Sequence, residues 1–259
     1  MKERSLIFVL LLGLAVPARA KEAKDERPFA AGEELVYEIR LLGIETAQAE
    51  LEVLDDRGDG VRIRARARTT GPADGIFKMK SQASCRLEDD LDPGICRGDL
   101  KSRRTVLRRE VRFEKESGVV HERKMRNGEL RERRIALEPG LDRVHDTLSG
   151  LYLIRAHLPP VGEALVFRGV VDGRAGTVRA RTVREEMVET PFGAVRAAVV
   201  VVEMLGEAEE GATTRAQLWI GLDENRLPLK AVTKAPIGSL EARLIAARGV
   251  KEGGELARR

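Results

Sequence analysis

Apolar and polar side chains alternate one by one along most of this chain. Residues 61–69 show the pattern at its plainest: Val61, Ile63, Ala65, Ala67 and Thr69 interleave with arginines at 62, 64, 66 and 68. A period of two sends successive side chains to opposite faces of a β-strand, whereas the 3.6-residue period of a helix would scatter the arginines around its axis. The alternation recurs at 34–42, where Leu35, Tyr37, Ile39 and Leu41 oppose Glu38 and Arg40. It recurs again at 47–54, where Ala49, Leu51 and Val53 oppose Glu50 and Glu52. Further strands are expected at 76–87, from 95 onward, and at 105–114, 118–126, 129–137, 166–171, 177–188, 194–205, 213–222, 227–234 and 237–248.

Turn signals separate these strands. The run Asp55-Asp56-Arg57-Gly58-Asp59-Gly60 predicts a hairpin that sets Glu50 and Glu52 beside Arg62, Arg64 or Arg66. Such cross-strand pairs contribute a few tenths of a kcal/mol each. Asn127-Gly128 between two strands is a strong hairpin signal, because both residues tolerate positive φ. One segment departs from the pattern. In residues 141–157, Val144, Leu148, Leu151 and Arg155 fall at helical spacing, with Asp146 or Thr147 to cap the start and Pro159-Pro160 to end it. A short helix or pair of turns between two β-halves is expected there. The prediction is an all-β fold: a single strongly curved antiparallel sheet, open barrel or β-spiral of about 12–14 strands with one short central helix. No Gly/Ser-rich linker interrupts residues 29–250, so one domain is expected, flanked by flexible segments at 21–28 and 251–259.

Residues 1–20 read as a secretory leader. Lys2 and Arg4 precede an apolar run at 6–16, and Ala18-Arg19-Ala20 fits cleavage after Ala20, which implies a periplasmic protein. The run of eleven residues is too short to span a bilayer as a helix, and no cysteine follows it to carry a lipid anchor. Charged residues make up 34% of the chain and aromatics 3%, against the apolar band and aromatic girdles of an outer-membrane barrel. In an exported chain, Cys85 and Cys96, separated by the turn-rich stretch around 88–94, are expected to form a disulfide across a hairpin. Two reduced core cysteines or a redox pair are the rivals, and neither has CxxC spacing behind it.

Charge adds one more feature. Residues 101–134 carry 13 Lys/Arg against 6 Asp/Glu, although the whole chain is only +4. One reading is a solvated face whose arginine stems cover apolar surface. The other is an electrostatic footprint for an anionic partner, with Arg103, Arg104, Arg108, Arg109 and Arg112 as candidates. For an exported protein that partner is a lipid, lipopolysaccharide or anionic glycan. Nucleic acid is disfavoured by compartment and by the lack of interleaved aromatics for stacking. No enzyme is expected: Ser149 has no GxSxG elbow, and no Gly-rich phosphate loop links a strand to a helix. His121, His145 and His157 read as surface or boundary residues without metal-ligand spacing, so no metal or other cofactor is expected.

The chain also resembles the exported bacterial envelope proteins grouped as domain of unknown function 3108. The likeness starts at Phe29, Gly32, Glu33, Leu35, Tyr37 and Gly43 and continues through Asp146, Leu148, Ser149, Tyr152, Arg155 and Gly162. It then takes in Thr190-Pro191-Phe192-Gly193, and it ends with Trp219, Asp223, Arg226, Pro228, Ile237, Gly238 and Leu240. Ala47 stands where the pattern has a glycine in the second strand. The resemblance implies a periplasmic β-spiral or open barrel and brings no established activity. Together these features predict a non-enzymatic envelope protein that binds an envelope component on an apolar concave face with arginines at its rim. The alternative is a structural or protein–protein scaffold for envelope integrity without a ligand, its partner an envelope protein.

Overall fold

The computed structural model describes residues 27–55, 60–88, 90–114, 118–136, 144–171, 174–206, 212–235 and 238–251. The expected leader and nearly all of the expected C-terminal tail lie outside them. Fifteen strands form one sheet. In chain order they are β1 (Glu34–Leu41), β2 (Ile44–Asp55), β3 (Val61–Thr69), β4 (Met79–Leu87), β5 (Pro93–Ser102), β6 (Val106–Glu114), β7 (Val119–Arg126) and β8 (Glu129–Ala136). There follow β9 (Val144–His145), β10 (Ala164–Val171), β11 (Arg174–Thr190), β12 (Gly193–Gly206), β13 (Ala212–Gly221), β14 (Pro228–Ala235) and β15 (Gly238–Arg248). Two helices interrupt the strands, α1 (Gly71–Phe77) and α2 (Thr147–Ala156).

The sheet is two meanders joined at a central seam. From β1 the chain pairs outward strand by strand to β8, and from β15 the neighbours run back through β14 to β9, with β1 and β15 side by side. At this seam Gly249 takes φ 62, and a Cβ there would lie 2.0 Å from the Gly32 carbonyl oxygen, so the close approach admits only glycine.

All-β architecture is as expected, with three local differences. The strand expected at 76–87 begins only at Met79, because α1 occupies the preceding residues. Its Gly71-Pro72 start reads as a turn in sequence, yet proline at the first helical positions loses no hydrogen bond there. Val144 belongs to β9 rather than to the helix, and β9 pairs with β10 in parallel, the exception to an otherwise antiparallel ladder. His145 is fully buried, edge-on to Phe167 with ring centroids 5.5 Å apart, and is not a surface residue.

Curvature folds the sheet over itself. Ile63, Cys85 and Cys96 of β3–β5 pack in one core with Val200 and Ile220 of β12–β13, and Tyr152, Leu153 and Ile154 of α2 sit between them. The long β11–β12 hairpin, with a bulge at Thr182/Arg184, curls so that β11 reaches β15, a strand with which it is not hydrogen-bonded. Leu35, Tyr37, Val199, Trp219 and Leu244 form a second core there. Both sheet edges approach a third cluster: Ile135 of β8 and Val144 of β9 pack against Val111, Val120 and Val170. β8 is otherwise exposed along its length, and its charged sequence blunts the open edge.

The register confirms the first hairpin. Glu52 lies opposite Arg64 and Glu50 opposite Arg66 on the outer face. Arg64 is salt-bridged to Glu52, Arg66 bonds Glu52 at 2.9 Å, and Glu50 stands 3.9 Å from Arg66. Cys85 and Cys96 are direct cross-strand partners on β4 and β5 and are disulfide-bonded. Replacing both with alanine is expected to lower stability by about 3 kcal/mol, the chain-entropy value for a loop of this size. Urea unfolding of the variant beside the oxidised protein measures it.

Candidate functional site

Residues that are far apart in the chain meet where α2 abuts the seam. The helix is short and marginal by itself, so its ends carry explicit devices. Asp146 is the N-cap: its carboxylate accepts from the Ser149 N–H at 2.8 Å, while the Asp146 N–H donates to Ser149 Oγ at 2.9 Å. This capping box satisfies helix donors that lack intrahelical partners. The Ser149 hydroxyl is thereby engaged, donating to Asp146 Oδ1 at 2.8 Å, in a residue fully shielded from solvent. At the other end the Arg226 guanidinium donates to the Arg155 and Ala156 carbonyls at 3.2 and 2.6 Å, closing off orphan acceptors of the last turn. Arg226 adopts φ 42, a left-handed conformation held by N–H bonds to the Asp223 carbonyl at 3.1 Å and carboxylate at 3.2 Å.

Arg155 is the centre of the cluster. Its guanidinium makes a two-pronged ion pair with Glu33, Nη1 to Oε1 at 2.7 Å and Nη2 to Oε2 at 2.9 Å, and both side chains are essentially inaccessible to water. Its remaining donors reach backbone acceptors, Nε to the Arg226 carbonyl and Nη2 to the Asn225 carbonyl, each at 3.1 Å. Phe29 and Tyr152 enclose it: their rings meet edge to face at 4.8 Å and lie 5.3 and 5.0 Å from the Arg155 Cζ. Tyr37 donates its hydroxyl to the Pro228 carbonyl at 2.8 Å. Burial pushes the Tyr37 and Tyr152 phenols up. Burial alone would lower Arg155, but attraction and hydrogen bonds from Glu33 outweigh it and hold the guanidinium more firmly charged.

Such a cluster joins the N-terminal segment, α2 and the β13–β14 turn; its ion pair is fully engaged, while the Tyr152 hydroxyl is buried without a hydrogen-bond partner among the described residues. Of the candidate residues from sequence, Tyr37, Asp146, Ser149, Tyr152, Arg155, Asp223 and Pro228 all fall here. Trp219 does not: it sits in the second core, donating Nε1–H to Glu186 at 2.5 Å beneath Lys230. That bond, ahead of one from Arg184, holds the Glu186 carboxyl below its usual range. The Thr190–Gly193 segment is the β11–β12 turn, tied by Thr190 Oγ1 to the Gly193 carbonyl at 2.7 Å. The Asp146 carboxylate lies within 4.8 Å of both cysteine sulfurs. Sulfurs held in a disulfide are not the thiolates that bind metals.

The five arginines expected to form one anionic-partner surface are dispersed. Arg103 and Arg104 lie in the β5–β6 turn, where Arg103 donates to the Gly75 carbonyl at 2.7 Å. Arg108 and Arg112 face outward, where Asp99 stands 3.7 Å from Arg108 and Glu110 bonds Arg112 at 2.8 Å. Arg109 faces inward and pairs with buried Glu122 at 2.6 Å. The two-residue period that identifies the strand also divides its charges between faces.

The inner face of the first meander is uneven. At the level of Ile63, Cys85 and Cys96 it is buried in the core beneath α2. One register step away from the β2–β3 and β4–β5 turns it carries Ala65, Ala83 and Gly98, cross-strand neighbours that remain partly exposed. These small residues form a floor that sequence alternation alone did not single out.

One solved structure shares this architecture, and weaker likenesses accompany it. A β-barrel-like protein of family DUF1849 from Brucella abortus superposes with TM-score 0.59 at 10% identity, over 83% of this chain and 96% of that one. A Bacteroides fragilis protein described as exported, with a YmcC-like fold, gives TM-score 0.38 at 12% identity, over 85% and 97%. A Pseudomonas aeruginosa protein of family DUF1089 gives 0.43 at 12% identity, over 72% and 89%. No curated protein matches the chain. The family profile described as "Protein of unknown function (DUF3108)" matches residues 36–245, a span from the Tyr37 strand through Arg155 to the Asp223–Pro228 turn, and the chain belongs to that family.

Proposed function

We propose that this is a non-enzymatic, exported protein of the cell envelope that holds an envelope component, an acyl-bearing lipid or an anionic glycan, on its inner face. The observation behind this reading is the partly exposed floor of Ala65, Ala83 and Gly98 beside a core that is otherwise filled. Curved sheets lined by small side chains leave room for an apolar ligand, with a few polar groups to orient it. The non-enzymatic reading is supported by Asp146, Ser149, Arg155 and Glu33, whose polar groups are engaged in the helix cap and the buried ion pair.

Native mass spectrometry of the chain, purified from an exporting host and then exposed to envelope lipid extract, tests the reading. A bound acyl-bearing mass is expected, and Ala83→Leu, which fills the floor, should reduce its occupancy at least tenfold while the melting temperature stays near wild type. A chain that remains empty in lipid extract contradicts the proposal. The scaffold alternative rests on β8, an exposed edge strand whose charges deter indiscriminate pairing and would admit only a partner strand of complementary charge. It is favoured if a charge-reversed β8 edge abolishes detergent resistance in cells while lipid binding persists.

A further inference from the structure

The inner face of β6–β8 continues the small-residue floor into a row of cations. Gly98 lies opposite Arg109, Arg109 opposite Lys124, and Lys124 opposite Arg131. Side chains directly opposite in antiparallel strands stand about 5 Å apart at Cβ, where like charges repel. Flanking positions only partly answer the row. Glu122 pairs with Arg109 at 2.6 Å, and Glu129 pairs with Arg131 at 2.8 Å. Arg126 and Arg133 stand opposite those same two glutamates. Arg109 and Arg131 thus occupy the two carboxylates, and neither Lys124 nor Arg126 is ion-paired with a carboxylate among the described residues. The Nη2 of Arg109 is buried without an acceptor among the described residues. A pocket of about 490 Å³ opens beside the row, lined by Glu122, Lys124, Arg126, Glu129, Arg131 and Arg133.

A second row of like charges, Arg68–Lys80–Lys101, crosses the outer face. All three side chains there are exposed, as Arg131 of the inner row also is, but their same-face neighbours are Arg66, Gln82 and Asp99, so no apolar floor adjoins them. The inner row differs because its register leads directly onto Gly98, Ala83 and Ala65.

We propose that the Arg109–Lys124–Arg131 row is a phosphate site for an amphiphile whose apolar tail lies along Gly98, Ala83 and Ala65. This rests on the inner-face reading above. Arginine forks match phosphate oxygens in pairs, while a lysine supplies a compact charge between them. An anion seated there relieves the repulsion within the row.

The test uses the mature chain and three soluble probes: short-chain phosphatidylglycerol below its micelle concentration, inorganic phosphate, and an uncharged alkyl glucoside of matched chain length. Calorimetry is run on wild type, on Lys124→Ala/Arg131→Ala, and on the outer-row control Lys80→Ala/Lys101→Ala. The phospholipid is expected to bind wild type and the control equally and the inner variant at least tenfold more weakly, with Lys124→Arg retaining binding. Removing like charges should leave the inner variant melting at or above wild type, so lost binding is not lost folding. If inorganic phosphate binds as tightly as the lipid and depends on the same residues, the phosphate site stands and the tail, with the inner-face reading, falls. If the lipid binds the inner variant as well as wild type, or the glucoside binds as well as the lipid, the phosphate site falls and the inner-face reading stands. No binding of any probe to wild type overturns both.

Discussion

Replacing Glu33 with glutamine is expected to lower the unfolding free energy by about 3–5 kcal/mol, the range for stranding one partner of a buried ion pair. Arg155 would be left charged in the protein interior, facing an amide that answers only part of it. Arg155→Met should be comparably severe for a second reason: it strands Glu33 and also removes donors from the Asn225 and Arg226 carbonyls. The double variant should lose much less than the sum of the singles, because neither charge then remains unpaired. Urea unfolding of the four proteins measures this directly. Near-additive losses would mean that the two residues act independently, against the paired geometry.

A second large effect is expected at alkaline pH. The chain has two tyrosines, Tyr37 and Tyr152, both buried, and burial raises both phenols. Unfolded tyrosines ionise near pH 10. Above that pH the unfolded state binds fewer protons than the native state, so stability falls as pH rises; below it neither tyrosine changes the balance. Each contributes a loss of about 1.4 kcal/mol per pH unit until its folded pKa is reached. Tyrosinate absorbance and circular dichroism should therefore change together in one cooperative step. Tyrosinate appearing near pH 10 while the strand signal is intact would contradict the burial of these rings.

Much of the fold is readable in the sequence because local physics dominates a meander. Alternation locates β3 to the residue, and the turn before it places Glu50 and Glu52 beside the arginine ladder. The α2 cap is readable from Asp146 and Ser149. The seam is not: β1 and β15 lie at opposite ends of the chain, and no local pattern announces their pairing. Arg155 and Glu33 are likewise 122 residues apart. The helix α1 is hidden by a Gly-Pro start that favours turns equally. The inner cation row is partly within reach. A two-residue Asn127-Gly128 turn fixes the register that sets Lys124 opposite Arg131, a pairing that the spacing of residues about the turn already specifies. The net charge of residues 101–134 conceals it, since the strands divide those side chains between two faces.

Under the proposed function the molecule has two parts with different work: a buried Arg155 cluster that holds the fold and an inner face that would hold a ligand. Melting curves with and without short-chain phosphatidylglycerol test that division most directly, on Glu33→Gln and on Lys124→Ala/Arg131→Ala beside wild type. The prediction is that Glu33→Gln melts well below wild type yet is raised by the lipid as wild type is, since a ligand stabilises whatever native state binds it. Lys124→Ala/Arg131→Ala should melt at or above wild type and show no shift. A Glu33→Gln protein that is as stable as wild type but no longer responds to lipid would contradict this division and move the ligand to the Arg155 cluster.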